Sequence, residues 1–429
     1  MRLVQPSLPS YVCRTCAEMM RRPGHRPILP RLSSSLASSR PVNFSWFFFH
    51  NDRWTRNPSF RRSQSKEGAL SPAGPAALDA LQYPPTPSAV AYRASEVLTP
   101  RRLLKIYAQL SKSNLTILVV LTAMSGVALS PLPTTVPVLL STAIGTALCS
   151  ASANTLNQLQ EVPFDAQMAR TRTRPLVRRA ITPLHASGFA LVTGIMGPTL
   201  LWTMTNPTTA CIGLANIALY AGAYTWLKRR SVLNTWVGAV VGGLPPLMGW
   251  TACGGTLLPT SSFPLEAYLP AFLSSVPLAD NPLAPLALFM LLFSWQFPHF
   301  NALSHFLRES YAQAGYHMLS ILSPSKNALV SLRHSILLSA ICSILVPFSG
   351  LTTWTFSLLS LVPNIILTEA SWRFWREGSE KQARRLFRHS LWYLPVILGL
   401  MMFCKRGLDW TSFMGKRADD KGEVSPSTL

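Results

Sequence analysis

Charge is what this chain has little of. Only 13% of its 429 residues are Asp, Glu, Lys or Arg, about half the share usual in soluble domains. Acids are the scarcer part: 17 Asp and Glu stand against 39 Lys and Arg, a net of +22. With 48% hydrophobic residues and a mean hydropathy of +0.24, an ordinary soluble domain is excluded and a membrane protein expected. Cysteine is sparse too. Of seven, only Cys13 and Cys16 form a close pair; no second pair lies nearby to complete a tetrahedral zinc site, and no βαβ pattern surrounds them as a redox motif requires. A basic excess of this size on a soluble surface would suggest nucleic acid. Its distribution along the chain excludes that partner.

Residues 1–66 carry eleven Arg and Lys66 against Glu18 and Asp52. An Arg-rich, Ser-bearing, acid-poor leader without a secretory apolar run reads as a mitochondrial presequence. The run Trp46-Phe47-Phe48-Phe49 is too short to cross a bilayer. Residues 67–113 read as a Pro- and Ala-rich linker approaching the membrane from the matrix side, and 405–429 as a polar tail.

From 114 to 404 the chain is a succession of apolar stretches, near 114–133, 135–159, 183–204, 207–227, 234–253, 285–307, 334–350, 353–371 and 390–404. Nine membrane helices in one all-α bundle are predicted. Every internal Lys and Arg falls in an even-numbered connection: Arg170 to Arg179 after the second stretch, Lys228 to Arg230 after the fourth, Arg308 to Arg333 around the sixth and seventh, and Arg373 to Arg388 after the eighth. The odd-numbered connections hold none, which places the basic loops on one side, the matrix for a mitochondrial protein.

Because acids are rare here, those at the end of the second stretch stand out. Asn157, Glu161 and Asp165 recur every four residues, which puts three oxygen-bearing side chains on one helix face, rising about 6 Å each. Pro163 is expected to kink or end the helix just before Asp165. With Arg170, Arg172 and Arg174 following, these are residues that Mg2+ and a phosphorylated substrate would need; a capped helix end with a solvated basic loop is the plain alternative. Tyr224-Thr225-Trp226-Leu227-Lys228-Arg229-Arg230, with Asn234 beyond, reads plainly as an aromatic belt and topology charges. The Gly238, Gly242, Gly243, Pro245, Pro246 and Gly249 that follow imply an irregular helix beside a cavity. In the sixth stretch Gln296, His299, Asn301 and His305 are costly in a membrane unless they face the bundle interior, and Pro298 breaks the helix beside His299. His185, His334 and His389 are expected at helix ends, solvated.

In order along the chain, N157-x3-E161-V-P-F-D165 with R170-T-R-T-R174, Y224-T-W-L-K228-R229-x4-N234-T-W-V-G, and S-W-Q-F-P-H299-F-N-A-L-S resemble the haem-farnesylating branch of the intramembrane UbiA-type prenyltransferases, over about residues 100–405. The resemblance implies a nine-helix bundle in the mitochondrial inner membrane, with haem B and farnesyl diphosphate as substrates and Mg2+ as cofactor. It implies Asn157, Glu161 and Asp165 as metal ligands, and Arg170, Arg174, Lys228, Arg229 and Asn234 as diphosphate-binding residues. Tyr224 and Lys228 would join the catalytic set, and His299 and His305 the haem side. The second Asp-rich motif of the wider superfamily is missing, with Tyr224 and Lys228 in its place, and Ser310 stands where relatives usually carry Asp. Membrane lipid, an enzyme accepting the farnesylated haem and a second copy of the chain complete the expected partners. A haem carrier without chemistry and a prenyltransferase of quinone precursors are the rival readings; the first leaves Asn157, Glu161 and Asp165 unexplained and the missing motif disfavours the second.

Overall fold

The computed structural model describes residues 99–258 and 281–408. The predicted presequence, Cys13, Cys16, the aromatic run at 46–49 and most of the linker, of the 254–284 connection and of the C-terminal tail lie outside these residues. The described chain is helical: α1 (Pro100–Leu110), α2 (Ser113–Leu129), α3 (Val136–Asp165), α4 (Pro183–Met204), α5 (Pro207–Leu227), α6 (Asn234–Ala252), α7 (Leu283–Phe306), α8 (Arg308–Gln313), α9 (Leu319–Leu322), α10 (Pro324–Phe348), α11 (Thr355–Glu377) and α12 (Glu380–Phe403). A π turn interrupts α5 at Leu219–Tyr224 and α10 at Ile341–Leu345.

The helix boundaries follow cap chemistry. Thr99-Pro100, Thr182-Pro183, Asn206-Pro207 and Ser323-Pro324 each place a capping residue before a proline that needs no helical N–H. The Thr182 hydroxyl accepts from the His185 amide at 3.3 Å and the Asn206 carbonyl from that of Thr209 at 2.9 Å. At the other end, Gly378 closes α11 with φ of 58°, where a side chain would be strained, and its N–H bonds Phe374 O at 2.9 Å.

Among the described residues nine helices are long, but only six of them, α3, α4, α5, α7, α10 and α12, have both the length and the composition to cross a membrane alone. α2 qualifies only together with α1, to which it is bent by 58°. α6 is diluted by Gly and Pro, and α11 carries Glu369, Arg373, Arg376 and Glu377. Several expected boundaries are corrected. The last part of the predicted linker is the helix α1, whose Ile106 and Leu110 are buried against Leu159, Leu176 and Ile181. The seventh stretch begins at Pro324 rather than 334, and the ninth at Glu380 rather than 390, so Lys381, Arg384, Arg385 and Arg388 belong to a helix and not to a loop.

α6 packs on both α2 and α7. The contact with α2 is backbone to backbone: a Cβ on Gly126 would collide with Pro246 O, and one on Gly249 with Ala123 O. Small residues allow such approach where lipid offers no hydrophobic drive between helices. Gly249→Ala should therefore cost about 1–3 kcal/mol of overpacking, read as a lower thermal midpoint in detergent. Gly188→Ala, which meets nothing within 4 Å, should leave that midpoint in place. A second core unites α7, α10, α11 and α12 around Leu288, Phe356, Phe374, Tyr393 and Ile397. Lys405, just beyond α12, donates to Ala128 O at 2.8 Å and Ser130 O at 2.7 Å, fastening the end of the last long helix to the end of α2.

Candidate active site

α3 continues through Pro163 and ends at Asp165, one residue beyond the expected break. A proline this close to the C-terminus forfeits a single backbone bond. The stripe therefore stays intact, and Asn157, Glu161 and Asp165 are all buried. Three basic side chains meet it. Lys228 donates to Glu161 Oε1 at 2.7 Å. Arg174 pairs with Asp165 Oδ2 and lies 3.6 Å from Glu161 Oε2. Lys112 donates to Asn157 Oδ1 at 2.9 Å and to the Tyr220 hydroxyl at 3.3 Å. Burial alone would strip the Lys228 proton, but the Glu161 carboxylate reverses this and holds its pKa well above the ordinary lysine value. Arg174 and Lys228 match the two carboxylates in charge, while burial and the two neighbouring cations lower the Lys112 pKa to about 7, so an anion arriving beside it would draw a proton onto its amine.

An aromatic wall stands beside these charges. The π turn of α5 presents Tyr220 and Tyr224, stacked with ring centroids 5.2 Å apart. π turns recur at functional sites because the extra residue re-aims side chains. The Lys228 ammonium lies 4.6 Å from the Tyr224 ring centroid and 5.8 Å from that of Tyr316, and Lys112 lies 5.7 Å from that of Tyr220. Gly238 gives Tyr224 its room, since a Cβ there would come within 2.9 Å of the ring. The wall is tied to α3: Asn157 Nδ2 donates to Thr225 Oγ1 at 3.1 Å, and Gln160 Nε2 to Ala221 O at 2.8 Å.

Other predicted site residues fall elsewhere. Arg170 is exposed. Arg229 lays its guanidinium over Phe164 at 4.0 Å. Asn234 is buried, and its amide donates to Ser231 O at 2.7 Å and His317 O at 3.0 Å, which holds the turn behind Lys228. The Nε2 of His305 donates to the Gly378 carbonyl at 3.1 Å against the edge of Phe374, so it clasps α7 to the end of α11. His299 is half-buried between α7 and α12, with Nδ1 2.9 Å from Ser390 Oγ and Trp295 and Phe387 against its ring. His334 is not at a helix end: because α10 starts ten residues early, it sits mid-helix, stacked on Phe297 at 3.7 Å. His389 is also inside a helix, α12, hydrogen-bonded to Trp392 Nε1 at 3.2 Å.

Residues 118–392 match the UbiA prenyltransferase family. This chain is a UbiA-family protein. The mitochondrial protoheme IX farnesyltransferase of Homo sapiens is 46% identical over 301 residues, covering 70% of this chain and 62% of the human protein. That of Gibberella zeae is 42% identical over 364 residues, covering 81% of this chain and 70% of its own length. The chain thus spans about 62% of the human relative's length. A solved digeranylgeranylglyceryl phosphate synthase shares the fold, with a TM-score of 0.57 at 15% identity over 70% of this chain and 98% of that one. The UbiA fold and its apolar helices make this a multi-pass membrane protein.

Within this UbiA bundle, sequence reading missed Lys112, counted only as a topology charge. Two polar residues on α3, Asn154 and Gln158, account for its placement. Gln158 Nε2 donates to Gln109 O and Leu110 O at 3.1 and 2.8 Å, and Asn154 Nδ2 to Ser111 O at 3.1 Å. These bonds satisfy the last carbonyls of α1. They fix the turn in which Lys112 adopts a left-handed backbone, φ of 50°, and from it the side chain reaches Asn157. The i, i+4 spacing of Asn154 and Gln158 beside the recognised stripe was the available signal. Tyr316 was missed as well; burial lifts its phenol well above the ordinary tyrosine range, so it meets Lys228 as a neutral ring.

Proposed function

We propose that this chain transfers the farnesyl group of farnesyl diphosphate to a vinyl group of haem B, yielding haem O and diphosphate, at the matrix side of the mitochondrial inner membrane. The observation that carries this reading is the buried cluster in which Lys112, Arg174 and Lys228 meet the α3 stripe. An allylic diphosphate ionises only where its departing oxygens are neutralised, and buried Arg174 and Lys228, with Lys112 ready to take up a proton beside an anion, provide that. The activity named for relatives at 46% and 42% identity supports haem as the acceptor. The nine long helices, taken as nine crossings, put the basic segments at 170–179, 228–230, 308–333 and 373–388 on one side.

Mg2+ fits the donor set. Asn157 Oδ1, Glu161 and Asp165 are hard oxygens on one helix face, and no group of three His, Cys, Asp or Glu able to hold a metal occurs among the described residues. The other coordination positions fall to phosphate oxygens and water, as this ion favours. Bound there, Mg2+ supplies charge neutralisation for the leaving diphosphate. Lys228 and Arg174 then donate to diphosphate oxygens in place of their carboxylates, and Lys112 adds a third donor. The faces of Tyr220 and Tyr224, which already take two ammonium groups, suit the allylic cation. As the C1–O bond breaks, its electron pair leaves with diphosphate. The vinyl π electrons form the new C–C bond, and water adds to the resulting cation with loss of a proton, leaving a hydroxyethylfarnesyl side chain. Burial keeps water from the allylic cation until the vinyl group has reacted.

The test is to incubate the full chain in membranes with haem B, farnesyl diphosphate and Mg2+ and weigh the haem product. A mass gain of one farnesyl and one hydroxyl group, lost on chelation of Mg2+, is expected. Haem B recovered unchanged would leave a haem carrier; farnesylation of an added phenolic quinone precursor in its place would leave the other rival.

A further inference from the structure

The exposed face of α12 changes character once along its length. Lys381, Arg384 and Arg388 recur at steps of three and four, and the same steps continue to Leu391 and Pro395, all five exposed. From Ser390 to Phe403 the helix holds no charged residue. Basic side chains therefore stand in line with an apolar track that faces lipid. Trp372 and Trp375 of α11 and Trp392 of α12 are exposed on either side of the turn at Gly378 and Ser379, an aromatic belt of the kind that marks the membrane–water boundary. The first turns of α12 thus lie at the level of lipid headgroups.

A groove of about 680 Å³ opens on these turns, lined by Phe306, Glu380, Lys381, Arg384, Phe387 and Arg388. Phe306 and Phe387 meet edge to face at 5.6 Å and make its apolar part. Arg384 lies 4.9 Å over the Phe306 ring and pairs with Glu380 at 2.7 Å. Arg385, beside it in sequence, turns to Glu369 of α11, which Arg373 also holds. Among the described residues Lys381 and Arg388 form no salt bridge, so Glu380 offsets one of the three lining cations and leaves two. Those two stand seven residues apart, about 10 Å along the helix. The one carboxylate of the groove is already paired, so it offers cations without the row of metal-binding oxygens found on α3.

We propose that this groove is a headgroup site for an anionic phospholipid carrying two phosphates. Lys381 and Arg388 each take one phosphate, and the glycerol carbons rest on Phe306 and Phe387, with Arg384 held between them by Glu380. The acyl chains run along the face of Leu391 and Pro395. Basic pockets at the ends of membrane helices hold such headgroups by charge. A free anion would satisfy Lys381 and Arg388 but leave the apolar track below them unused; that alignment is what selects an amphiphile.

The full chain in detergent, mixed with equal amounts of diphosphatidylglycerol and phosphatidylcholine and weighed intact by native mass spectrometry, tests it. Wild type should retain diphosphatidylglycerol about ten-fold or more in preference to phosphatidylcholine, the scale that two unpaired basic residues at a membrane surface provide. Lys381→Gln with Arg388→Gln should bring that preference close to parity. Neither residue is paired, so the thermal midpoint of this variant in detergent alone should stay in place. Lys326→Gln with Arg333→Gln, which takes the same charge from exposed positions on α10, should leave the preference intact, and so should Lys381→Arg with Arg388→Lys. Equal retention of the two lipids by wild type would overturn the proposal whatever the variants do, and so would an undiminished preference in Lys381→Gln with Arg388→Gln. An equal loss in the α10 variant would make the preference a property of net charge and remove the site. Displacement of the lipid by equimolar inorganic diphosphate would make the groove a free-anion site, and displacement by farnesyl diphosphate alone would make it a substrate entry; either result removes the phospholipid.

Discussion

Glu161→Gln should lower haem O formation about 100-fold or more, the scale expected when a key charge partner is removed from a preorganised polar site, while the protein keeps its fold. The substitution preserves shape. The introduced amide oxygen can still accept from Lys228, which now donates to Glu161 Oε1 at 2.7 Å, so that donor keeps an acceptor, while the amide NH2 takes the place of the oxygen 3.6 Å from Arg174. What disappears is the negative charge that pairs with Lys228 and lies 3.6 Å from Arg174, and that the proposed Mg2+ site needs. The loss should appear in kcat/KM for farnesyl diphosphate and should not be recovered by raising Mg2+. Full activity of the purified variant would remove Glu161 from the metal set.

Lys228→Met should have a second, different effect: loss of activity together with a fall in stability of about 3–5 kcal/mol, the scale for breaking a buried ion pair from one side. The exposures are decisive. The Lys228 and Glu161 side chains are only 13% and 5% exposed, so methionine leaves a carboxylate that water cannot reach. Arg174, 3.6 Å from Glu161 Oε2, offsets part of that charge. Combining Lys228→Met with Glu161→Gln removes both charges, so most of the lost stability should return, while activity should not. Thermal unfolding in detergent of the two single variants and the double variant gives the coupling; additive losses would show that the pair contributes nothing to the fold.

The part of the site written in one helix was legible in the sequence, and the part assembled across helices was not. Asn157, Glu161 and Asp165 were readable because a period of four puts them on one face wherever α3 docks. Lys228 could be named as a cation near diphosphate, but its partner Glu161 is 67 residues away, and only packing of α5 against α3 joins them. Lys112 was hidden by a left-handed turn that no glycine marks. Asn234 and His305 carried ligand roles only through the family resemblance; the partners the structure gives them are the backbone carbonyls of Ser231, His317 and Gly378, which no side-chain pattern announces. Hydropathy also misplaced the starts of α10 and α12, since their first turns are polar. The caps that mark them, Ser323 before Pro324 and Ser379, whose hydroxyl accepts from the Gln382 amide at 3.3 Å, were present in the sequence all along.

The clasp formed by Lys405 bears on the order of assembly. Its two acceptors, Ala128 and Ser130, precede it by 277 and 275 residues. However the chain enters the membrane, the carbonyls that end α2 meet this lysine only once the last long helix has arrived. Contacts so distant in sequence form late, because the entropy of closing the intervening loop must be met first. The first and last long helices therefore come together only after the segments that build the carboxylate cluster have been made, and a chain ending at residue 404 would carry every charged group of that cluster on a bundle whose ends are unfastened.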